Sequence, residues 1–306
     1  MTALRTLLLL CVLASVSLPT GALAQTSSGF MDHVRLDALF SNVYESNINH
    51  DEEPVPSYGW VPALRLQLRS HRDDPFLTLT YHVARHAYTN TEKWDRVSHK
   101  AELNLAPEIT DWLHAETSVE GSLRGSSEDR DISNQLRVVQ DFELRFTRNH
   151  RLHLYGTLRW KQIPDDPEED AFKPNLGLEF ERQLPGGRRF ETGVRYEQNR
   201  EQLERGNYTR WTFDMAYRFP FLHPRSRLEF GLKYRRKDYE ARFVEIEDED
   251  VLRRDHRWTA GLAWQITLLR NTRVLLDYQV ETRDSNDPAK RFVAHQIGLS
   301  VGYRIN

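Results

Sequence analysis

The sequence has almost no cysteine and no excess of charge of one sign. Its single cysteine, Cys11, lies in the apolar segment at the amino terminus, so residues 25–306 contain none. Disulfides, thiolate metal sites and cysteine nucleophiles are therefore excluded from that part of the chain. The 42 Lys and Arg residues nearly balance the 45 Asp and Glu residues, for a formal net charge of −3. Nothing in this balance suggests a nucleic-acid surface.

A long apolar run is also missing after residue 24. A membrane helix needs roughly 18 consecutive apolar residues, and no later stretch approaches that length. The mean hydropathy of −0.67 is typical of a soluble protein. A membrane β-barrel gives a similar average, because each strand turns an apolar side chain to lipid only at alternate positions.

The amino terminus has the parts of a secretory signal peptide. Arg5 is followed by an apolar stretch from Leu7 to Leu18, and Ala22-Leu23-Ala24 matches the small-residue pattern of a cleavage site. We therefore predict a cleaved signal peptide at 1–24 and a single β-barrel domain at 25–306.

The segment from Trp258 to Val280 shows the pattern that the rest of the chain repeats. Two alternating runs flank the turn 270–272, and a side-chain period of two indicates β-strands. Each run has about ten to twelve residues, which is enough for a tilted strand to cross a bilayer. One face of this predicted hairpin carries the apolar residues Trp258, Ala260, Leu262, Trp264, Ile266, Leu268, Val274, Leu276, Tyr278 and Val280.

Similar segments continue from Phe30 to the end of the chain. They predict an all-β fold, a single antiparallel up-and-down transmembrane β-barrel of about 14 strands with short periplasmic turns and longer extracellular loops. Strict alternation of long and short connections places both termini on the short-turn side. Long connections fall at 47–56, 86–94, 125–131, 163–174, 198–207, 239–255 and 284–290, and short ones at 71–74, 106–111, 148–150, 185–187, 223–225 and 270–272.

Aromatic residues cluster near both ends of the predicted strands, as in the two interfacial belts of a membrane barrel. In the alternative, a soluble β-sandwich or barrel, the same rings would fill a core. That alternative is disfavoured because the opposite strand faces are too charged to pack inside. The predicted aromatic girdle is Trp60, Trp94, Trp112, Trp160, Trp211, Phe219, Trp258, Phe292 and Tyr303.

The signal peptide, the amphipathic hairpins and the last strand, residues 295–306, together resemble a Gram-negative outer-membrane β-barrel of the porin-like superfamily. Gly298 and the alternating Leu299, Val301 and Tyr303 are similar to the signal that the barrel-assembly machinery recognises. The segment departs from that pattern by ending in Ile305-Asn306 instead of an aromatic residue. The resemblance implies an outer-membrane location and contacts with outer-membrane lipid and lipopolysaccharide.

Charged residues of both signs occupy the positions predicted to face the lumen. Opposed charges across a pore would orient polar solutes; alternatively, they pair between neighbouring strands and stiffen the wall. Because the signs are balanced, strong ion selectivity is not expected. The predicted pore-lining residues are Arg65, Arg69, Glu116, Glu120, Arg137, Asp141, Glu143, Arg145, Arg195, Glu197, Arg210, Asp214, Glu229, Lys233, Arg257, Arg273 and Asp277.

Two long connections are strongly acidic. Oxygen clusters of this kind suit hard divalent cations, and calcium could bridge them to each other or to lipopolysaccharide phosphates. Neither matches an EF-hand, so a solvated charged loop is the favoured interpretation. The candidate ligands are Asp165, Asp166, Glu168, Glu169, Asp170, Glu247, Asp248, Glu249 and Asp250.

Two functions fit these features. The first is a passive channel for small hydrophilic solutes, in which a folded-in loop or long inward side chains form the constriction, since few residues precede the first strand. The second is a structural or assembly barrel with a closed lumen that docks protein partners of an envelope complex. An enzyme is not expected, because the inward histidines fit no catalytic motif that we can match. We expect a monomer without a cofactor.

Overall fold

A computed structural model describes residues 33–48, 50, 53–70, 76–90, 94–126, 132–164, 166–246 and 248–305. The predicted signal peptide lies outside this range. Fourteen long antiparallel strands account for most of it, and we number them β1 to β14. A three-residue strand, Glu108–Thr110, lies in the turn before β5, and three short 3-10 helices lie in the connections, at Pro167–Glu169, Glu204–Gly206 and Pro288–Lys290.

The strands are listed here in chain order. They are β1 His33–Glu45, β2 Ser57–Arg69, β3 Leu77–Tyr88, β4 Arg96–Leu105, β5 Leu113–Ser126, β6 Ile132–Thr147, β7 His150–Gln162, β8 Ala171–Leu184, β9 Arg188–Glu201, β10 Tyr208–Phe221, β11 His223–Ile246, β12 Glu249–Leu269, β13 Thr272–Ser285 and β14 Phe292–Arg304.

Each strand pairs with its neighbours in the chain, and the sheet closes on itself. The closing pair is β1 with β14, which runs in register from Asp37 opposite Arg304 to Glu45 opposite Gln296. Next to the short strand in the turn, β4 pairs directly with β5. The prediction of an up-and-down barrel of about 14 strands is confirmed.

The apolar side chains of the strands lie on the outside of the barrel. Leu64 is 50% exposed, Leu176 59% and Phe213 48%, whereas the charged Lys173, Glu197 and Arg210 are at most 3% exposed. A soluble β-sandwich would show the opposite arrangement, with aliphatic side chains inside and charges outside. The structure therefore rules out the soluble alternative considered from the sequence.

Short and long connections alternate as predicted, with one correction. The segment 239–255 was expected to be a long loop, but β11 continues to Ile246 and β12 begins at Glu249. Phe243 pairs with Leu252 and Val244 with Val251 beyond a register shift after Asp238. These cross-strand apolar pairs extend the ladder past the barrel wall. The acidic composition of the segment concealed this extension in the sequence.

Both ends of the described chain lie at the short-turn end of the barrel. The amide of Arg304 donates to the carbonyl of Asn271 in a short turn, at 2.8 Å, and the amide of Ile305 donates to the carbonyl of Leu36, at 2.9 Å. The two-glycine turn between β8 and β9 lies at the same end, and Gly186 and Gly187 there have φ values of 78° and 73°. Left-handed backbone of this kind favours glycine. No helix in the described part of the chain is long and apolar enough to span a membrane.

Candidate functional site: the lumen and its vestibule

All the residues predicted to line the pore lie on the inner face of the wall, opposite the exposed apolar side chains. They occupy inward positions in eight of the fourteen strands. These residues are Arg65, Arg69, Glu116, Glu120, Arg137, Asp141, Glu143, Arg145, Arg195, Glu197, Arg210, Asp214, Glu229, Lys233, Arg257, Arg273 and Asp277.

The aromatic girdle requires two corrections. Trp60, Trp112, Trp160, Trp211, Phe219, Trp258 and Tyr303 lie on the outer face. Phe292, however, is only 7% exposed and packs in the lumen, because it shares the inward parity of Ala294 in β14. Trp94 also points inward, where it lines two lumen cavities. Both rings were expected in the girdle because they lie near strand ends. Their positions in the alternating pattern, however, point to the lumen.

Several inward charges pair across neighbouring strands, as the wall-pairing alternative requires. Glu197 in β9 lies 2.9 Å from the guanidinium of Arg210 in the adjacent β10 and 3.4 Å from that of Arg159 in β7, two strands away. Lys100 lies 2.8 Å from Glu120, so pairing extends to the opposite side of the barrel. Each pair places an opposite charge next to a buried or half-buried charged group, so the two charges offset each other within the wall.

The first long connection folds into the lumen, as expected for a constriction. Ile48 is 2% exposed inside the barrel. The ring of His50 lies between two carboxylates, with Nε2 3.0 Å from Glu45 and Nδ1 3.3 Å from Glu281. It also packs against Phe292, with ring centroids 4.6 Å apart. No sequence pattern indicated a role for His50, because Glu281 and Phe292 are far from it in the chain.

A group of arginines surrounds one carboxylate at the short-turn end. Asp37 lies 2.8 Å from Arg65, 2.9 Å from Arg35 and 3.9 Å from Arg304. Arg273 lines the same small cavity of about 70 Å³. The short-turn mouth of the lumen is therefore positively charged.

A larger cavity, which we call the vestibule, opens at the long-loop end of the lumen. Its volume is about 370 Å³, and the carboxylates that line it are Glu169 and Glu201. Far more cations line it: Lys161, Lys173, Arg205, Lys237, Arg242, Arg253, Arg257, Arg283 and Lys290.

Two tyrosine rings organise the centre of the vestibule. The ammonium of Lys237 lies 3.8 Å from the ring centroid of Tyr208 and 4.8 Å from that of Tyr239. Lys173 donates to the Tyr208 hydroxyl at 3.4 Å. Cation–π contacts hold an ammonium in place without neutralising its charge. Lys237 has the same inward parity as the predicted pore-lining residue Lys233, but it was not singled out from the sequence. Periodicity does not indicate this cluster, because the elements that form it are far apart in the chain.

A second lumen cavity of about 400 Å³ adjoins the vestibule. His50 and Trp94 line both cavities. The second cavity has a more even charge, since Lys233 and Arg235 face Glu45 and Glu281 there. His50 and Trp94 therefore stand at the boundary between a strongly basic compartment and a balanced one.

Comparison with known proteins identifies the class of barrel. No family model matches the sequence, and no curated protein matches it. The in-vitro folded trimer form of OmpT, an outer membrane protein of Vibrio cholerae, aligns with a TM-score of 0.51 at 11% identity, over 89% of this chain and 99% of its own. An anion-selective porin from Comamonas acidovorans aligns with a TM-score of 0.51 at 8% identity, over the same shares of the two chains. The protein has the fold of an outer-membrane β-barrel.

In outer-membrane barrels the short turns face the periplasm and the longer loops face outside. The vestibule lies at the long-loop end, which is the exterior side in such barrels, and the arginine group around Asp37 lies at the short-turn end, which is the periplasmic side in such barrels. Positive charge is concentrated at both ends of the lumen, a distribution that the balanced total composition concealed.

The acidic connections of the outer-membrane barrel do not form a metal site within the described residues, where no cluster of three or more His, Asp or Glu residues suits a metal ion. Asp165 and Glu247 lie outside that range. Asp170 accepts the amide hydrogen of Ile163 at 2.8 Å, and Glu169 lines the vestibule. The remaining predicted ligands are Asp166 and Glu168 in the first connection, and Asp248, Glu249 and Asp250 in the β11–β12 hairpin.

Inward histidines occur in the barrel, and one of them contacts a serine. His86 Nε2 lies 3.1 Å from Ser98 Oγ, and His153 Nδ1 lies 3.0 Å from Asp141. A catalytic triad needs a nucleophile, a base and an orienting acid in one chain of contacts. Within the described residues, His86 has no carboxylate partner and His153 has no hydroxyl partner.

Proposed function

We propose that this outer-membrane barrel is a passive channel for small hydrophilic solutes. A barrel of about this strand number can enclose a water-filled lumen. Its inner face carries the charged side chains and its outer face the apolar ones. This distribution suits a solvated interior that polar molecules enter from both ends.

The observation that carries the proposal is the pair of adjoining cavities in the outer half of the lumen. The vestibule and the second cavity share His50 and Trp94 as lining residues. A solute that enters from outside would meet the vestibule first and then pass the His50 ring. The constriction would then be made by a folded-in loop.

Conductance of the purified protein in planar lipid bilayers tests this function. We expect ohmic single-channel steps that scale with salt concentration, and uptake of small neutral sugars into proteoliposomes. Bilayers that stay silent while folded protein is present would contradict the proposal. Silence together with co-purifying envelope proteins would instead support a closed structural or assembly barrel.

We also propose that transport involves no catalytic step. A Ser98→Ala variant should conduct like the unmodified protein, since the hydroxyl contacts the wall residues His86 and Ala84. Hydrolysis of phospholipid or peptide substrates by the purified protein, abolished in Ser98→Ala, would overturn this part of the proposal.

A further inference from the structure

We infer that the vestibule is a binding site for small organic anions that carry two or more acid groups. This inference rests on the proposed channel function, and it assigns the class of solute that the channel concentrates at its outer mouth. It departs from the total composition, which predicts no strong selectivity.

The first argument for this site is the positive charge of the residues that line the vestibule. Nine lysine and arginine side chains and two glutamates line the vestibule. Some of these cations have carboxylate partners: Arg253 lies 2.8 Å from Asp255, and Arg257 lies 3.4 Å from Glu281. Asp255 and Glu281 are not among the residues that line the vestibule, so the lining itself is strongly basic. Converging cations in a partly enclosed cavity favour an anion more than the same charges do in open water.

Lys237 and Arg283 show how part of this charge stays available. The Lys237 ammonium is held by the rings of Tyr208 and Tyr239, and Arg283 lies 4.9 Å from the centroid of Phe292. Neither forms an ion pair with a carboxylate in the part of the chain that the structure describes. Aromatic rings fix the two cations without supplying a counter-ion.

Arg283 has a further unsatisfied group. Its Nε is buried and has no hydrogen-bond acceptor among the described side chains and backbone. A buried donor of this kind is costly unless a partner arrives. An acid group in the vestibule would supply the acceptor, and a guanidinium can bind a carboxylate or phosphate through two parallel hydrogen bonds.

Size and charge together define the ligand class. A volume of about 370 Å³ falls in the usual range for small-molecule pockets, roughly 300 to 1,000 Å³. The cations approach from several strands and connections, so a ligand with one acid group would contact only part of the set. A ligand with two or three acid groups would engage opposite walls at once.

Strand β11 offers a matched control for the test. Lys237 faces the vestibule, whereas its neighbour Arg236 lies on the outer face and pairs with Asp238 at 2.9 Å. Arg254 contacts the same Asp238 from β12. The double variant Lys237→Gln/Arg283→Gln and the control Arg236→Gln/Arg254→Gln each remove two positive charges, from the inside and the outside respectively.

Citrate is the probe, and acetate is the comparison with one acid group. Calorimetric titration at low ionic strength should show citrate binding to the unmodified protein and to the outer control. Citrate affinity should fall by roughly 100-fold in Lys237→Gln/Arg283→Gln, at about tenfold for each lost charge contact. The charge-conserving Lys237→Arg/Arg283→Lys variant should keep most of the affinity. Heat-modifiable migration on gels shows that each variant is folded.

The titration needs no conductance, so the inference and the channel function can fail separately. Equal citrate affinity in the inner and outer double variants, or acetate binding as tight as citrate, would overturn the anion site even if the barrel conducts. Citrate binding by a barrel that is silent in bilayers would support the site and contradict the channel. In conducting protein, the reversal potential in a KCl gradient should show anion preference, which the inner double variant should lower.

Discussion

The hydroxyl of Tyr208 donates a hydrogen bond of 3.3 Å to the carboxylate of Glu197. The same carboxylate pairs with Arg210 and Arg159, while the Tyr208 ring contacts Lys237 in the vestibule. One tyrosine therefore links a group of paired charges in the wall to the cations that line the cavity. Such contacts separate the lumen charges that pair with carboxylates from those that can contact a ligand.

The Glu197 group leads to a stability prediction. Glu197→Gln should destabilise the barrel by about 3 kcal/mol, because it removes a negative charge that pairs with the buried guanidiniums of Arg210 and Arg159. Tyr208→Phe should cost only about 1 kcal/mol, since it removes one neutral donor from a carboxylate that keeps other partners. Urea unfolding of the protein in lipid vesicles measures both values. Equal costs for the two variants would show that the carboxylate charge does not hold this part of the wall.

Three histidines on the outer face lead to the second prediction. His99, His256 and His295 each contact a tyrosine hydroxyl on the adjacent strand through Nδ1, at 2.8, 2.7 and 2.8 Å. A ring nitrogen that faces lipid needs a partner, because the hydrocarbon offers none. Replacing the tyrosine by phenylalanine removes that partner and should cost about 1 kcal/mol per pair.

Tyr278→Phe, which affects His295, is the simplest of these variants. Its unfolding free energy should fall in lipid vesicles, and a second change, His295→Phe, should recover most of the loss by removing the unsatisfied nitrogen. Additive losses in the double variant would contradict the coupling.

His50 leads to the third prediction, which concerns conductance. Its ring stands between the two outer cavities and contacts Glu45, Glu281 and Phe292. His50→Ala removes the ring from the path, so the single-channel conductance should rise while the fold is kept. His223→Ala changes an exposed histidine at the start of β11 and should leave the conductance unchanged. A similar conductance in the two variants would mean that the constriction lies elsewhere.

Periodicity predicted much of the fold from the sequence, because a lipid-facing wall imposes a period of two on every strand. It gave the barrel, the alternation of connections and the inward direction of the charged residues. Gly298 belongs to the sequence pattern of the last strand, which does not explain why a glycine stands there. In the structure, a Cβ at this position would lie 2.5 Å from Asp277 Oδ1. The close approach of that inward carboxylate explains the glycine.

The candidate site was less predictable, for physical reasons. The vestibule combines side chains from strands and connections far apart in sequence, and periodicity carries no information about which of them meet. Trp94 and Phe292 were placed on the wrong face. Both lie near the ends of strands, where the alternation of inward and outward side chains is hard to follow in the sequence. The β11–β12 hairpin was missed because its acidic residues masked the apolar pairs beyond Asp238.

Neighbouring residues of β14 provide the last prediction, which tests the orientation of the wall. Ile297 lies on the outer face and is 47% exposed, while Gln296 lies inward and lines the second cavity. Ile297→Arg places a charge in lipid near the middle of the strand and should destabilise the barrel by about 2–4 kcal/mol. Gln296→Arg adds the same side chain to a solvated lumen, so its effect on stability should be small. Folding yield and urea unfolding in vesicles compare the two, and a larger loss for Gln296→Arg would mean that the inner and outer faces are assigned the wrong way round.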